Sequence, residues 1–293
     1  MIIKKAIIPA GGWGTRDLPA TKAMPKELLP IVDKPAIQYN VEEAVSSGIT
    51  DICIILSPGK DIVKNHFAKN EKLERHLKKG GKKYEYLLKE VQKISSMADI
   101  TYIVQEEAKG LGHAVSLARD FVGHEPFAVL YGDDVIIGDV PCCRQVCDAY
   151  EKYGLGTAAI KEVSDEFIVK YSSMKCENIK DNVYSISDMI EKPRLQDKFS
   201  NFSILGRCVL PFEIFDVLET IPRGQGGEYQ LTDAMAVLAR ENGMIGIDFL
   251  GKRYDMGSKY GILEASIEVG LSHPEVKDDL EKLIKRLAQK IGG

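Results

Sequence analysis

The sequence predicts an α/β fold, with a Rossmann-like, mostly parallel mixed sheet and helices on both of its faces. Up to about residue 154, short apolar runs alternate with helix-favouring segments. These runs are nearly continuous rather than alternating in polarity, which is typical of parallel strands buried on both faces. After Gly154 several strand-like runs follow one another closely, so we expect part of the second half to pair antiparallel.

The first half of the chain supplies four predicted strands, at residues 6–8, 51–56, 100–104 and 127–131. A helix is predicted from Pro35, whose fixed φ suits the first helical position, to the stop signal at Gly48. A charged, helix-favouring segment then runs from residue 61 to about residue 97, with a break at Gly80-Gly81, and a further helical pattern covers residues 111–122.

The second half supplies three more predicted strands and two more helices, at residues 157–163, 183–190 and 202–210 and at residues 212–219 and 230–241. Near the C-terminus an apolar stripe with helical spacing predicts an amphipathic helix; its members are Val276, Leu280, Leu283, Ile284 and Leu287. The stripe fits packing on its own domain and a contact between subunits equally well.

The composition is that of an ordinary globular protein, with 44% hydrophobic and 28% charged residues in a chain of 293. A net charge of -4 and a pI near 5.8 argue against general binding to nucleic acid. No segment has the apolar length of a membrane span or a signal peptide core, so we expect a cytoplasmic protein. The six cysteines form no CxxC pair, and we interpret them, including Cys142, Cys143 and Cys147, as reduced thiols.

A glycine-rich segment, Gly11-Gly12-Trp13-Gly14-Thr15-Arg16, directly follows the first predicted strand. Glycines let backbone N–H groups approach phosphate oxygens closely, and an arginine adds a charged fork. The segment is not a dinucleotide-binding fingerprint, because Asp17 stands where the third glycine belongs, and it lacks the Gly-Lys-Ser/Thr of a P-loop. By itself a glycine turn after a strand is also compatible with a purely structural role.

The next residues carry a more specific signal. Residues 18–39, which read LPATKAMPKELLPIVDKPAIQY, resemble the signature of the sugar-nucleotide pyrophosphorylases, and in wording the UTP–glucose-1-phosphate uridylyltransferases most of all. The resemblance extends over essentially all 293 residues. It implies a fold of the nucleotide-diphospho-sugar transferase type and a single domain. In that domain a nucleotide-binding half covers about 1–140, a sugar-binding half about 141–260 and C-terminal helices about 261–293.

The resemblance also implies which residues form the site. The nucleotide-binding residues would be Gly11, Gly12, Gly14, Thr15, Arg16, Gln105 and Gly110, with Gln105 and Gly110 reading the uracil edge. An amide side chain offers both a donor and an acceptor, which suits a pyrimidine imide. The sugar-phosphate-binding residues would be Glu191, Lys192 and Gly206. His113 also lies in the segment that would read the base, residues 105–114 (the base segment), and is interpreted as structural.

A magnesium ion and four catalytic residues complete the implied site. Asp133, after the fourth predicted strand, and Asp255 would bind Mg2+, which proteins usually hold with one or two carboxylates and substrate phosphates. Arg16, Lys26, Asp133 and Lys192 would be catalytic by neutralising charge as glucose 1-phosphate attacks the α-phosphorus of UTP. The attacking phosphate monoester is already ionised near neutral pH, since its second pKa is about 6, so no general base is needed. UTP and glucose 1-phosphate are the expected partners, with no nucleic acid or membrane, in a homodimer or homotetramer.

The sequence departs from the family pattern at several places. Gly11, Trp13 and Asp17 replace the first, third and seventh residues of the usual glycine loop, and Asp17 puts a negative charge near a triphosphate. Ser172 stands where relatives have a glycine whose backbone lies against the sugar, which places its hydroxyl near the hexose in one interpretation. Ser57-Pro58-Gly59-Lys60 also differs from the usual wording.

Three alternatives stay open at this point. A related enzyme would use dTTP or another sugar 1-phosphate, and a regulatory homologue would bind nucleotide without turnover. The retention of Arg16, Lys26, Asp133, Lys192 and Asp255 together speaks against the second. A nicotinamide-dependent oxidoreductase is the alternative at the level of the fold, and Asp17 disfavours it.

Overall fold

The computed structural model describes residues 2–292, which form a nine-stranded central sheet between two layers of helices, with two short two-stranded sheets beside it. The strands are β1 (Lys5–Ala10), β2 (Pro30–Ile31), β3 (Lys34–Pro35), β4 (Asp51–Leu56), β5 (Asp99–Val104), β6 (Phe127–Leu130), β7 (Asp134–Ile137), β8 (Thr157–Glu162), β9 (Ser172–Lys180), β10 (Val183–Glu191), β11 (Phe202–Leu210), β12 (Met244–Asp248) and β13 (Lys252–Asp255).

Twelve α-helices are present in residues 2–292. They are α1 (Ala36–Ser46), α2 (Asp61–Phe67), α3 (Glu71–Lys79), α4 (Glu85–Ile94), α5 (Leu111–Ser116), α6 (Arg119–Val122), α7 (Cys142–Tyr153), α8 (Asp165–Ile168), α9 (Ile214–Thr220), α10 (Leu231–Asn242), α11 (Lys259–Gly270) and α12 (Lys277–Ile291).

The central sheet has the strand order β5-β4-β1-β6-β11-β8-β12-β10-β9. The pairs among β5, β4, β1 and β6 are parallel, as is the pair of β8 and β12. Only β11 and β10 run against their neighbours, so seven of the nine strands point the same way. The mostly parallel mixed sheet and the antiparallel pairing in the second half are therefore confirmed.

The central sheet is covered on both faces. Successive side chains of its central strands therefore pack in two different cores, one on each face. In β1, Ile7 belongs to a core formed with α5, α9 and α10, whereas Ile8 belongs to a core formed with α1, α2 and α7. Period-2 alternation between two apolar layers explains why these strands read as continuous apolar runs. The carboxyl ends of parallel strands β1, β5 and β6 lie at one edge, where open α/β sheets bind ligands.

Several element boundaries differ from the prediction. The charged segment from residue 61 to residue 94 contains three helices, with a second break at residues 68–70, and the pattern over residues 111–122 is divided between α5 and α6. Pro35 caps α1 instead of forming its first residue. Strand β9 was not predicted, because it is polar and largely exposed beyond its first residues and gains its order by pairing with β10.

The C-terminal helix α12 keeps its apolar stripe partly exposed. Leu280 packs on α11, since a Cβ added to Gly270 would lie 2.7 Å from its Cδ2, while Leu283 and Leu287 are 37% and 44% exposed. No helix within residues 2–292 is long and apolar enough to cross a membrane. All six cysteines are free, and Cys142, Cys143 and Cys147 are buried in the core beside α1.

Candidate active site

The glycine loop leaves the carboxyl end of β1 and is wedged between the base segment and Lys26. A Cβ on Gly11 would lie 2.9 Å from Oε1 of Gln105, and one on Gly12 would lie 3.3 Å from Nζ of Lys26. Gly14 adopts a left-handed conformation with φ of 64° and begins a short 3-10 turn that carries Arg16. A side chain at Gly14 would strain the backbone, and one at Gly11 or Gly12 would displace the end of Gln105 or Lys26, so packing of the loop as well as phosphate access favours glycine.

Lys60 holds the glycine loop through its backbone carbonyls. It was not predicted as a site residue. Its Nζ donates hydrogen bonds to the carbonyl oxygens of Ala10 and Gly12, both at 2.7 Å, and forms an ion pair with Glu27 at 2.9 Å. Burial lowers the pKa of Lys60 and raises that of Glu27, and each partner opposes the shift of the other. Two signals were available: Lys60 belongs to the segment Ser57-Pro58-Gly59-Lys60 that departs from the family pattern, and that segment follows β4, whose carboxyl end lies at the ligand-binding edge.

A lysine and a carboxylate meet at the carboxyl end of β6. Nζ of Lys26 lies 2.5 Å from Oδ2 of Asp133. Burial alone would lower the pKa of Lys26, but Asp133 outweighs it and the pKa is raised. Burial alone would raise the pKa of Asp133, but Lys26 outweighs it and the pKa is lowered. Both groups are therefore charged at neutral pH.

Gly257 marks the place where three predicted site residues converge. A Cβ at this position would lie 2.8 Å from Nη2 of Arg16, 3.2 Å from Oδ2 of Asp133 and 3.2 Å from Oδ1 of Asp255. Any side chain here would block the space between the two aspartates. The structure thus brings Arg16, Asp133 and Asp255 together, although they are distant in sequence.

Tyr171 connects Asp255 to Lys192, one of the predicted sugar-phosphate-binding residues. Its hydroxyl donates to Oδ2 of Asp255 at 3.1 Å, and its carbonyl accepts a 2.6 Å hydrogen bond from the backbone N–H of Lys192. Oδ1 of Asp255 is held by the N–H of Gly257 at 2.9 Å. Arg253 contacts the Tyr171 hydroxyl at 3.1 Å, so this carboxylate has a fixed orientation. Neither Tyr171 nor Arg253 was singled out from the sequence.

The segment Glu191-Lys192 has an unusual backbone. Lys192 has a φ of 45°, which is rare and costly for a residue with a side chain and is typical of functional sites. Its side chain is exposed, whereas Glu191 is held by a 2.8 Å hydrogen bond from the hydroxyl of Thr232. Burial raises the pKa of Glu191. Nζ of Lys192 lies 3.7 Å from Oε1 of Glu191, so a carboxylate and an ammonium stand side by side at one end of β10.

Ser172 does not present its hydroxyl to this segment. The residue is buried, its Oγ lies 3.3 Å from Oγ of Ser203, and it accepts a 3.3 Å hydrogen bond from the N–H of Ile204. Because β11 supplies these partners, the structure favours the interpretation in which the Ser172 hydroxyl takes no part in holding the hexose; its place relative to a sugar stays a prediction. The positive φ of this region occurs at Lys192, beside the partner of Ser172 in the β9–β10 pair.

Gln105 is buried at the end of β5, and its amide is already engaged. Nε2 donates to the carbonyl oxygen of Gly110 at 3.3 Å and lies 2.8 Å from Nδ1 of His113. The expectation that Gln105 offers a base both a donor and an acceptor is therefore corrected: its two amide hydrogens are used within the chain. Only Oε1 is left, next to Gly11.

Two further predicted positions have distinct surroundings. Gly206 is buried with a φ of 77°, and a Cβ there would lie 2.6 Å from Oδ2 of Asp134, so its packing against that carboxylate requires glycine. A contact of Gly206 with sugar stays a prediction. Asp17 is only 3% exposed, and both its carboxylate oxygens lack a hydrogen-bond partner within residues 2–292. Burial raises the pKa of Asp17.

The residues present fit a magnesium ion. No group of three or more His, Cys, Asp or Glu side chains arranged for a metal occurs in residues 2–292. Asp133 and Asp255 nevertheless face the same point beside Gly257, and Lys26, a cation, lies against Asp133. Two hard carboxylate ligands are what Mg2+ needs when water and substrate phosphates supply the rest of its shell.

The predicted site residues form one continuous row of contacts along the edge of the sheet. Gln105 adjoins Gly11, Gly12 adjoins Lys26, and Lys26 pairs with Asp133. Asp133 and Asp255 face each other, and Asp255 connects through Tyr171 to Lys192. The row carries a polar group at one end, positive charge and paired carboxylates in its middle, and a carboxylate and an ammonium at the other end. Such a surface can hold two phosphorylated molecules side by side.

Comparison with known proteins agrees with this geometry. Residues 5–270 match the family model for nucleotidyl transferases, and the chain belongs to that family. It is 46% identical over 288 residues to the UTP–glucose-1-phosphate uridylyltransferase YngB of Bacillus subtilis, covering 97% of this chain and 96% of the relative. It is also 46% identical over 285 residues to the enzyme of that name from Staphylococcus epidermidis, covering 97% and 98%.

Solved structures show the same relationship. A UDP-glucose pyrophosphorylase complexed with UDP-glucose superposes with a TM-score of 0.85 at 39% identity, covering 93% of this chain and 100% of that one. A UTP-bound UGPase from Acinetobacter baumannii superposes with a TM-score of 0.89 at 34% identity, covering 98% and 100%. The fold type implied by the sequence is confirmed by these structures.

Proposed function

We propose that this chain transfers the uridylyl group of UTP to α-D-glucose 1-phosphate, giving UDP-glucose and pyrophosphate. The continuous row from Gln105 to Lys192 carries this conclusion, because it offers a base contact, a phosphate loop and a second phosphate site in the order the reaction needs. The names of the relatives, UTP–glucose-1-phosphate uridylyltransferases, support the same substrates. So do the UDP-glucose and UTP bound in the similar structures.

The transfer is an in-line displacement. An oxygen of the glucose 1-phosphate monoester forms a bond to the α-phosphorus of UTP, and the bond from that phosphorus to the bridging oxygen of the β-phosphate breaks. The electron pair leaves with pyrophosphate. The chain supplies position and charge: Arg16 and Lys26 face the triphosphate, and Lys192 faces the sugar phosphate. Glu191, whose carboxylate is fixed by Thr232, would accept hydrogen bonds from glucose hydroxyls.

Asp133 and Asp255 would hold Mg2+. Nucleotidyltransferases of this family generally use a divalent metal. When bound, such an ion neutralises phosphate charge that develops during the transfer. Tyr171 and the N–H of Gly257 hold Asp255 in the orientation found here, and Lys26 keeps Asp133 ionised. In this proposal the nucleotide-binding half is about 1–140 and the sugar-binding half about 141–260. A homodimer or homotetramer and a cytoplasmic location stay predictions.

A pyrophosphate-release assay over a matrix of nucleoside triphosphates and sugar 1-phosphates tests the proposal. UTP with glucose 1-phosphate should give the highest kcat/KM, well above CTP, ATP and GTP. The preference over dTTP should be smaller, because only the 5-methyl and 2′-hydroxyl groups differ. Equal or better turnover with a purine triphosphate would contradict the base site.

The same assay separates the metal from the rest of the site. Excess EDTA should abolish turnover, and added Mg2+ should restore it. Asp133→Asn and Asp255→Asn should each remove most activity without loss of fold, whereas Asp278→Asn on exposed α12 should have no effect. Full activity in EDTA would exclude the metal from the reaction.

A further inference from the structure

His113 lies within the base segment and contacts Gln105 directly, but it has no role in the transfer described above. Its Nδ1 lies 2.8 Å from Nε2 of Gln105, and the same Nε2 lies 3.3 Å from the carbonyl oxygen of Gly110. A carbonyl oxygen can only accept, so the amide atom facing it is the nitrogen, which donates. The second amide hydrogen then points to Nδ1, which must be the unprotonated nitrogen of the ring.

This contact requires a neutral imidazole with its proton on Nε2. Burial lowers the pKa of His113, and Lys109 lowers it further while Glu107 opposes the shift. Lys109 and Glu107 are the charged groups that act on the ring, and they pair with each other at 2.8 Å. The neutral ring is therefore the form at neutral pH, and protonation at Nδ1 would place a donor against a donor.

A bound nucleotide can form a hydrogen bond with only one group of the Gln105 side chain, the oxygen Oε1. Oε1 accepts no hydrogen bond within residues 2–292 and is not among the buried unpartnered atoms, so solvent or a ligand can reach it. It can only accept. The N3 position of uracil or thymine carries a hydrogen, whereas N3 of cytosine is an acceptor and would face Oε1 unpaired.

We propose that His113 is a positioning residue for base specificity. It accepts an amide hydrogen of Gln105 and thereby holds Oε1 toward the base, which selects a pyrimidine with an N3–H group against cytosine. Without this acceptor only the longer, 3.3 Å hydrogen bond to the carbonyl oxygen of Gly110 holds the amide, so the amide can rotate and offer Nε2 to the base, which suits cytosine. The inference rests on the proposed function, since it assigns the discrimination made by the same nucleotide site.

Nucleotide binding by calorimetry, together with kcat/KM, tests the proposal with UTP and CTP. His113→Leu removes the acceptor and should lower the ratio of UTP to CTP affinity by about tenfold or more, since a mismatched polar group is costly to leave unpaired. His113→Asn is the matched control, because its side-chain oxygen replaces Nδ1 as acceptor. It should keep the ratio within about threefold of the wild type.

Two readouts exclude a merely structural role. Histidine 15N NMR of the wild type at neutral pH should show an unprotonated Nδ1 and a proton on Nε2. As pH falls below the usual histidine range, the UTP preference of the wild type should decline, and that of His113→Asn should not. A proton on Nδ1, or an unchanged UTP-to-CTP ratio in His113→Leu, would overturn the proposal.

Failure of the inference is distinct from failure of the proposed function. If the wild type releases pyrophosphate from UTP and glucose 1-phosphate but His113→Leu keeps its base preference, only the role of His113 is refuted. If the wild type catalyses no release, the proposed function is refuted. The NMR spectrum and the binding ratio then still decide whether His113 orients Gln105; binding of neither nucleotide would refute both.

Discussion

Nζ of Lys60 lies 2.9 and 3.0 Å from the two carboxylate oxygens of Glu27, in a pair that is almost completely buried. Glu27 immediately follows Lys26, and Lys60 also binds two carbonyl oxygens of the glycine loop. The pair thus fastens the loop to the segment that carries Lys26. Removing one member leaves a buried charge without a partner, whereas removing both does not.

Lys60→Met should lower the free energy of unfolding by about 3–5 kcal/mol and raise the KM for UTP. The double variant Lys60→Met/Glu27→Gln should recover much of the stability but not the KM, since the loop carbonyls stay unpaired. Chemical denaturation and steady-state kinetics measure the two effects. Lys64→Met, from an exposed ion pair with Asp61, is the control and should change stability little. Equal KM values for Lys60→Met and wild type would show that the loop does not depend on this contact.

Lys26→Ala should reduce kcat more than it raises the KM for UTP. Negative charge on the β- and γ-phosphates grows as pyrophosphate leaves, so the ammonium stabilises the transition state more than the bound substrate. The loss should be on the order of 2.7–4 kcal/mol, or about a hundredfold to a thousandfold in kcat. Lys22→Ala, an exposed lysine of the same segment, provides the comparison in steady-state assays. A near-normal kcat for Lys26→Ala would show that Lys26 does not stabilise the transition state and only pairs with Asp133.

Asp17→Leu should stabilise the protein at neutral pH. Both carboxylate oxygens of Asp17 are buried without a partner, and the residue lines a cavity of about 460 Å³ together with apolar groups that include Leu29 and Ile262, so leucine should gain about 1–3 kcal/mol.

The size of this gain should depend on pH. The pKa of Asp17 is higher in the folded than in the unfolded protein, so its ionisation costs stability as pH rises above about 3.9. The difference between variant and wild type, from urea unfolding at several pH values, should therefore increase from pH 4 toward neutrality. Exposed Asp120→Leu should show no such trend. A constant difference would mean that the pKa of Asp17 is the same in the folded and the unfolded protein.

Ser172→Gly should leave the ratio of kcat/KM for glucose 1-phosphate to that for galactose 1-phosphate within about twofold of wild type. The Ser172 hydroxyl is occupied by Ser203 and the N–H of Ile204, so its loss costs about 1 kcal/mol of stability but removes no sugar contact. A ratio that shifts strongly toward either sugar would show that position 172 takes part in selectivity.

The sequence predicted most of the elements whose signals are local, although the buried strand β12 was missed. Strand β4 begins and ends where the apolar run does, and α1 stops before Gly48 as expected. Strand β9 could not be found, because its order depends on pairing with β10 and its own residues are mostly polar. Local patterns report burial of a segment, whereas pairing between distant segments leaves no periodic trace.

The same distinction holds for the site. The family motif indicated Lys26, Asp133 and Asp255 as site residues, and the structure places them together, while their roles stay predictions. The family motif could not indicate that Gln105 donates both amide hydrogens within the chain, to Gly110 and His113, because that depends on the orientation of its side chain. The motif also could not indicate the role of Lys60, because the loop carbonyl oxygens that Lys60 binds lie about fifty residues earlier in the sequence.

Strand β11 has a mechanical consequence. It is hydrogen-bonded to β6 on one side and to β8 on the other, with an irregularity in the second pairing between Ile204 and Cys208, so hydrogen-bonded strands connect the phosphate end of the sheet to the sugar end. A hinge between the two ends would have to break those hydrogen bonds. We therefore expect the sheet to behave as a rigid plate during turnover, with any closure over the substrates confined to the loops along its edge. Inherited changes in substrate preference can then accumulate in those loops while the plate beneath them is preserved.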